Sequence, residues 1–151
     1  MIIGIPTEVR PGERRVALVP ESLKRLGSKG CTCVVQSGAG SEAGFSDDEY
    51  RAVGATIAAS RQEVLAGADT VVGVNVPQPD AVRAMKKGAA SISLLFPLVQ
   101  HDVVRAMRDA GVTGISLDRI PRTTLAQSMD VLSSQATIAG YRSVLVAANH
   151  L

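Results

Sequence analysis

Short apolar runs alternate along the chain with segments of helical periodicity. The runs are rich in Val and Ile and predict five main strands, at residues 2–6, 32–36, 70–75, 91–95 and 113–118. The segments between them carry apolar residues three or four apart and often end at Gly, which predicts helices. Nearly all-apolar strands are typical of a parallel sheet covered on both faces. We therefore predict one α/β domain over residues 1–151, with a mainly parallel five-stranded sheet, helices on both faces and a flavodoxin-like or Rossmann-like architecture.

The last element is predicted to be a long helix from about residue 124 to residue 151. Pro121 interrupts the chain before it, and Thr124 is a suitable N-cap. Gln127 follows Thr124 at capping-box spacing, as Glu49 follows Ser46 at the start of another predicted helix. Capping is therefore one interpretation of Gln127.

Composition excludes several classes of protein. The charged fraction is 20% and the net charge +2, with 3% aromatic residues, so the chain lacks the basic, aromatic surface of a nucleic-acid-binding protein. No apolar run approaches the ~20 residues of a membrane span, and the start lacks the features of a signal peptide. Cys31 and Cys33 are interpreted as small buried hydrophobic residues in a reducing cytoplasm. His101 and His150 have no ligands at metal-binding spacing, so no metal site is predicted.

The stretch IPRTTLAQSMDVLSSQATIAGYR, residues 120–142, contains a polar helix face. At 100° per residue, four side chains fall within about 120° of one another: Gln127, Asp130, Ser133 and Ser134. Such a stripe can simply be solvated. A ligand site is the other interpretation, because these side chains are short and follow the carboxyl end of a strand. Arg122 adds a fork-shaped donor suited to a carboxamide or phosphate oxygen.

A glycine-rich segment, SGAGSEAG at residues 37–44, is not predicted to bind a dinucleotide. Its glycine spacing differs from that of the dinucleotide fingerprint. The following helix begins with Asp47, Asp48 and Glu49, which would repel a pyrophosphate. A turn is the better interpretation.

Three long motifs resemble one family. IPRTTLAQSMDVLSSQATIAGYR is similar to the signature loop and helix of the alpha subunit of proton-translocating NAD(P) transhydrogenase. IGIPTEVRPGERRVALVPESLKRL resembles the opening of the alanine dehydrogenase and transhydrogenase N-terminal domain, and SGAGSEAGFSDDEYRAVGA resembles the segment that follows that opening. The resemblance implies that Arg122, Asp130 and Ser133 hold the nicotinamide and its carboxamide. It also implies that Gln127 lies near the second nicotinamide, so that Gln127, Arg122 and Asp130 serve catalysis.

The same resemblance implies a function and its partners. In this family hydride passes between NAD(H) and NADP(H), coupled to proton translocation by other subunits. The implied partners are an NAD-binding Rossmann domain and the membrane and NADP(H)-binding subunits, with a homodimer expected. The location would be cytoplasmic, or peripheral at the inner membrane face. The family's Rossmann unit lies downstream of these motifs, so we expect the 151-residue chain alone to be inactive.

Two alternatives stay open, namely a non-catalytic interaction domain and the N-terminal part of an alanine dehydrogenase. Arg15 matches the residue that meets the substrate carboxylate in alanine dehydrogenases, although it could instead pair with Glu13 or Glu8. Asn75 and Phe96 stand where those enzymes carry a substrate Lys and a catalytic His. A 2-oxo acid needs an acid for its carbonyl as well as a cation, so this alternative ranks below transhydrogenase.

Two positions also depart from the transhydrogenase pattern. Leu125 occupies a place that is commonly basic, and Gly73 a place that is often Lys. These departures put the fine geometry of the site in doubt.

Overall fold

The computed structural model describes residues 1–150, which divide into two compact units at residue 116. The strands of the first unit are β1 (Ile2–Ile5), β2 (Thr32–Gln36), β3 (Thr56–Ala58), β4 (Thr70–Val72), β5 (Ala90–Ser93) and β6 (Thr113–Ser116). Its helices are α1 (Pro20–Gly27), α2 (Asp47–Ala52), α3 (Arg61–Gly67), α4 (Pro79–Arg83) and α5 (His101–Ala110). The second unit contains two 3₁₀ helices, Leu117–Arg119 and Thr124–Met129, followed by α6 (Val131–His150).

The six strands form one parallel sheet in the order β3-β2-β1-β4-β5-β6. The predicted parallel α/β fold is confirmed, but the strand count of five was wrong. β3 was missed because it is only three residues long and its apolar pattern merges with the flanking alanines. β4 ends at Val72 rather than at residue 75. Beyond Val72, the backbone amides of Val74 and Asn75 donate to the Glu8 carboxylate.

Each face of the sheet has its own apolar core. One core packs α1 and α2 against the central strands and contains Ile5, Leu23 and Tyr50. The other packs α3, α4 and α5, with Leu65 and Val82 among its members. This division follows from the strand order. The crossovers through α1 and α2 run along the sheet in one direction and those through α3, α4 and α5 run in the other, which places the two sets of helices on opposite faces.

Close packing of α3 on β1 depends on Gly4. A Cβ at this position would lie 2.7 Å from Ala68 Cβ and 2.9 Å from Val64 Cγ1.

Both cysteines are free thiols. Cys33, in β2, is buried, and Cys31, immediately before β2, is partly buried. Burial raises the pKa of the Cys33 thiol, which agrees with its interpretation as a small hydrophobic residue.

The long C-terminal helix is confirmed, but its predicted start near Thr124 was wrong. Residues 124–129 form a 3₁₀ helix, and Asp130 interrupts it with φ −77° and ψ 89° before α6 begins at Val131. The 3₁₀ helix shows no side-chain cap, so the capping box inferred for Thr124 and Gln127 is absent. By contrast, the capping box of Ser46 and Glu49 is present at the start of α2. The predicted end at residue 151 lies outside the described residues.

No helix within residues 1–150 is long and apolar enough to cross a membrane.

Candidate functional site

Asp130 is the N-cap of α6. Its Oδ1 accepts hydrogen bonds from the backbone amides of Leu132 at 3.1 Å and Ser133 at 3.0 Å. Its Oδ2 accepts from the Ser133 hydroxyl at 2.6 Å. Asp favours such positions because its side chain competes with the backbone for local hydrogen bonds. The carboxylate therefore sets where α6 begins and how Ser133 is oriented.

The break at Asp130 changes the polar face inferred from the sequence. Gln127 belongs to the 3₁₀ helix and Ser133 to α6, so one 100° periodicity does not relate them. Ser134 turns its hydroxyl to the backbone, donating to the carbonyl oxygen of Asp130 at 3.1 Å. The shared helix face was therefore a wrong inference, although all four residues remain in one short segment.

Arg122, Gln127 and Ser133 are exposed, and Asp130 is partly exposed. The hydrogen bonds from Ser133 lower the pKa of the Asp130 carboxyl, and the positive charge of Arg122 lowers it further. The carboxyl is therefore an ionised acceptor at neutral pH. The Ser133 hydroxyl uses its single hydrogen on Asp130 and presents lone pairs outward. With the Arg122 guanidinium as a donor, the segment offers the complementary groups that a carboxamide requires.

Arg15, the residue considered for anion binding, is held by Glu13. Its Nε and Nη2 donate to the two Glu13 oxygens at 2.7 and 2.6 Å. The Glu13 side chain is only 8% exposed and also accepts from Asn75 Nδ2 at 2.8 Å. The hydrogen bond from Arg15 is the largest cause that lowers the pKa of Glu13 to about 2. Of the two interpretations of Arg15, the structure shows the ion pair with Glu13.

Asn75 links this ion pair to a second carboxylate. Its Nδ2 donates to Glu8 Oε2 at 3.0 Å as well as to Glu13. Glu8 also accepts from the backbone amides of Val74 and Asn75. Sequence reasoning considered Asn75 only as the absence of a Lys and missed that its amide bridges two carboxylates. The residues are more than 60 positions apart, so no local pattern reveals the network.

The glycine-rich segment 37–44 forms a turn around a short 3₁₀ helix. The amide of Gly38 and the hydroxyl of Ser37 both donate to the Asp47 carboxylate, at 2.9 and 2.7 Å. The chain's own carboxylate thus occupies donors that a phosphate would need.

Comparisons with known proteins place these features in context. A family model described as "Alanine dehydrogenase/PNT, N-terminal domain" matches residues 4–139. The chain is 39% identical over 150 residues to the NAD(P) transhydrogenase subunit alpha of Cereibacter sphaeroides, covering 99% of this chain and 29% of that protein. It is 30% identical to the alanine dehydrogenase of Bacillus subtilis, covering all of this chain and 39% of that enzyme.

A solved transhydrogenase structure is similar over nearly the whole chain. The crystal structure of transhydrogenase from Sinorhizobium meliloti matches with a TM-score of 0.94 and 38% identity, over 99% of this chain and 44% of that one. The chain thus spans less than half the length of the proteins that it resembles.

Proposed function

Because this chain belongs to the alanine dehydrogenase/PNT N-terminal domain family, we propose that it supplies the nicotinamide-facing loop and helix of an NAD(P) transhydrogenase alpha subunit. The reaction is hydride transfer between NAD(H) and NADP(H), with proton translocation by other subunits. The sequence identity to a transhydrogenase alpha subunit, 39%, is higher than the 30% identity to an alanine dehydrogenase, which supports this choice. Localisation at the cytoplasmic face of a membrane, through those partner subunits, is part of the same proposal.

The observation that carries the proposal is the donor and acceptor set at the start of α6. Arg122 donates to the carboxamide oxygen, while Asp130 and Ser133 accept from its amino group. Gln127 lies at the junction with the NADP(H)-binding partner. Nicotinamide supplies the hydride chemistry when bound, and the protein's task is to hold and orient the ring. The lowered pKa of Asp130 suits this task, because a permanent acceptor is required rather than an acid.

The three positions compared above with alanine dehydrogenases argue against amino-acid dehydrogenase chemistry. Arg15 is committed to Glu13, and Asn75 supplies no positive charge. Phe96 has no ionisable group with which to protonate a carbonyl. This chain therefore has neither the free cation nor the acid that a 2-oxo acid substrate requires at these three positions.

A chain that holds only the ring end of a dinucleotide binds it weakly. Each hydrogen bond to the carboxamide contributes about 0.5–1.5 kcal/mol net. Association costs an estimated ~4 kcal/mol or more in translational and rotational freedom. We therefore expect millimolar affinity at best, on the order of 10⁻³ M, for NADH and the 151-residue chain. Titration calorimetry tests this, and micromolar binding would contradict it.

Activity is tested after joining this chain to the remaining length of the Cereibacter sphaeroides subunit and adding its NADP(H)-binding partner. We expect hydride transfer from NADH to an NADP analogue, and its loss on Arg122→Ala or Asp130→Asn. Asn is a good N-cap, so Asp130→Asn removes the charged acceptor while preserving the start of α6. Arg51→Ala, on the surface of α2, is the matched control. If both site variants kept full activity, the assignment of the nicotinamide site would be wrong.

One observation favours a second candidate, a non-catalytic interaction domain. α6 exposes large apolar side chains at Ile138, Tyr141, Val144 and Leu145, which are 45–71% exposed. Apolar residues three, four and seven apart on a helix are typical of a packing surface. Light scattering distinguishes this candidate: a dimer disrupted by Ile138→Asp supports it, and a monomer at all concentrations counts against it.

A further inference from the structure

Helices cover one face of the sheet over only half of its width. α1 and α2 pack on β1 and β2, in the core that contains Ile5, Leu23 and Val35. α3, α4 and α5 pack on the opposite face, and Val71 of β4 belongs to their core. The face that α1 and α2 cover continues across β4, β5 and β6, the strands on the other side of β1. Within residues 1–116, neither apolar core includes the β5 and β6 side chains on this part of the face.

The strand register identifies the side chains on this uncovered part. A Cβ at Gly114 would lie 2.9 Å from Met107 Sδ of α5, so residue 114 faces α5 and Ile115 faces away from it. Neighbours in register on parallel strands point to the same face, and Ile115 is in register with Ile92, which is in register with Val72. Val72 lies at the margin of the α1 and α2 core, whereas Ile115 is 46% exposed. We call this surface the open sheet face, and its members are Thr70, Val72, Ala90, Ile92, Thr113 and Ile115.

α6 presents the opposite case, a helix without a surface on which to pack. Each of the helices α1 to α5 has buried residues, whereas α6 has none over Val131–His150. Ile138, Tyr141 and Leu145 are three and four residues apart, on one side of the helix, and are 62%, 71% and 45% exposed. We call these three side chains the α6 stripe. Large apolar side chains that share one side of a helix are typical of a contact surface.

The open sheet face and the α6 stripe match in size. Three neighbouring strands, with axes about 4.8 Å apart, span about 10 Å, and four residues of a strand extend about 13 Å. An α-helix with its side chains is about 10–12 Å in diameter, and the distance along the axis from Ile138 to Leu145 is about 10 Å. One helix that lies along the strands therefore fills the open sheet face.

We propose that two copies of the chain form a reciprocal dimer, in which the α6 stripe of each copy packs on the open sheet face of the other. Two identical contacts related by a two-fold axis close such an assembly. Each contact covers about 10 by 13 Å on both partners, so the two contacts together bury about 500 Å². This area is at the low end for protein interfaces, so the dimer is weak and depends on concentration. The inference names a surface that neither candidate function requires, and it does not depend on hydride transfer.

Sedimentation equilibrium of the 151-residue chain, from about 10 µM to about 1 mM, tests the dimer. We expect the mass to rise from that of a monomer towards that of a dimer over this range. Ile115→Asp and Ile138→Asp should each weaken association by about tenfold or more, because each places a charge in both apolar contacts. Val104→Asp is the matched control, because Val104 is 41% exposed on α5 and belongs to neither surface. This control should leave association unchanged.

A mixture of the two Asp variants tests the reciprocal arrangement directly. A copy with Ile115→Asp keeps its α6 stripe, and a copy with Ile138→Asp keeps its open sheet face. The mixed pair therefore has one intact contact, and we expect the mixture to associate more strongly than either variant alone. Thr113→Arg places a charge at an exposed position of the open sheet face without removing an apolar side chain, and it should weaken association as Ile115→Asp does. Circular dichroism confirms that each variant is folded.

Several outcomes would overturn the proposal. One is a chain that stays monomeric up to about 1 mM. Another is a loss of association with Ile138→Asp alone, which contact between two α6 helices predicts. A loss with the open-sheet-face variants alone would indicate pairing of two β6 edges instead. An equal loss with Val104→Asp would show that association is not specific to the two surfaces.

Discussion

Replacing Glu13 with Gln removes the nearly buried negative charge of the ion pair with Arg15 and preserves the size of the side chain. The pKa of Glu13 is about 2 instead of the ordinary 4.5, with the hydrogen bond from Arg15 as the largest cause. That difference corresponds to at most about 3.4 kcal/mol of folding free energy. The Arg15 side chain is 45% exposed, so water screens the pair. We expect Glu13→Gln to lower the free energy of unfolding at pH 7 by about 1–2 kcal/mol.

The loss should depend on pH in a defined direction. The folded pKa of Glu13 lies below the unfolded one, so the ionised carboxylate stabilises the fold above about pH 4.5. This contribution disappears as the pH falls towards 2. Urea unfolding followed by circular dichroism, repeated across this range, measures the difference between wild type and variant. Urea is preferred to guanidinium chloride because a salt would itself screen the ion pair.

A matched control comes from the surface pair of Arg14 and Glu42, whose side chains are 76% and 73% exposed. Glu42→Gln should change the free energy of unfolding by less than about 0.5 kcal/mol at every pH. If Glu13→Gln had an equally small effect at pH 7, the ion pair would not stabilise the fold. A larger loss that stays constant between pH 7 and pH 2 would show that packing, not charge, is responsible.

Three further substitutions test the packing and capping, each by urea unfolding. Gly40→Ala should lower the free energy of unfolding by about 1–3 kcal/mol, because the new Cβ would lie 2.6 Å from Cε2 of the fully buried Tyr50. Unchanged stability would mean that the Tyr50 ring can move aside. Gly67→Ala, in α3 with no atom within 4 Å of the new Cβ, should instead stabilise by about 0.4–1 kcal/mol, and a loss would contradict the helical geometry there. Ser46→Ala should cost about 1 kcal/mol by breaking the capping box with Glu49, so an unchanged midpoint would show that the cap does not stabilise α2.

The strands that the sequence revealed are those whose apolar runs stand alone between turn residues. β1 and β2 follow this pattern, and burial on both faces of a parallel sheet explains why most of their residues are apolar. β3 lacks the pattern because Thr56–Ala58 is flanked by alanines, and only its pairing with β2 identifies it as a strand. Short edge strands depend on their neighbours and are poorly visible to periodicity.

The hydrogen-bond network of Asn75 with Glu8 and Glu13 could not be inferred from local sequence. Glu8, Glu13 and Asn75 come together because β1 and β4 are adjacent in the sheet, and this adjacency is a property of the strand order. The buried hydroxyl of Ser93 has the same origin. Ser91 and Ser93 share one face of β5, and their sequence, SIS, reads as an ordinary apolar strand with small polar insertions.

The C-terminal segment differs in geometry from the continuous helix that the sequence predicted, and the site residues chosen there remain a prediction. A continuous helix made Asp130 one member of a polar stripe, whereas in the structure it terminates one helix and caps the next. Capping does not exhaust its capacity, however. A carboxylate has about four lone-pair positions, and the amides of Leu132 and Ser133 and the Ser133 hydroxyl use three of them. One acceptor position is left, so the proposed contact with a carboxamide N–H does not require Asp130 to release α6. The two roles are therefore separable, and a substitution that keeps the cap but removes the charge isolates the contribution of Asp130 to binding.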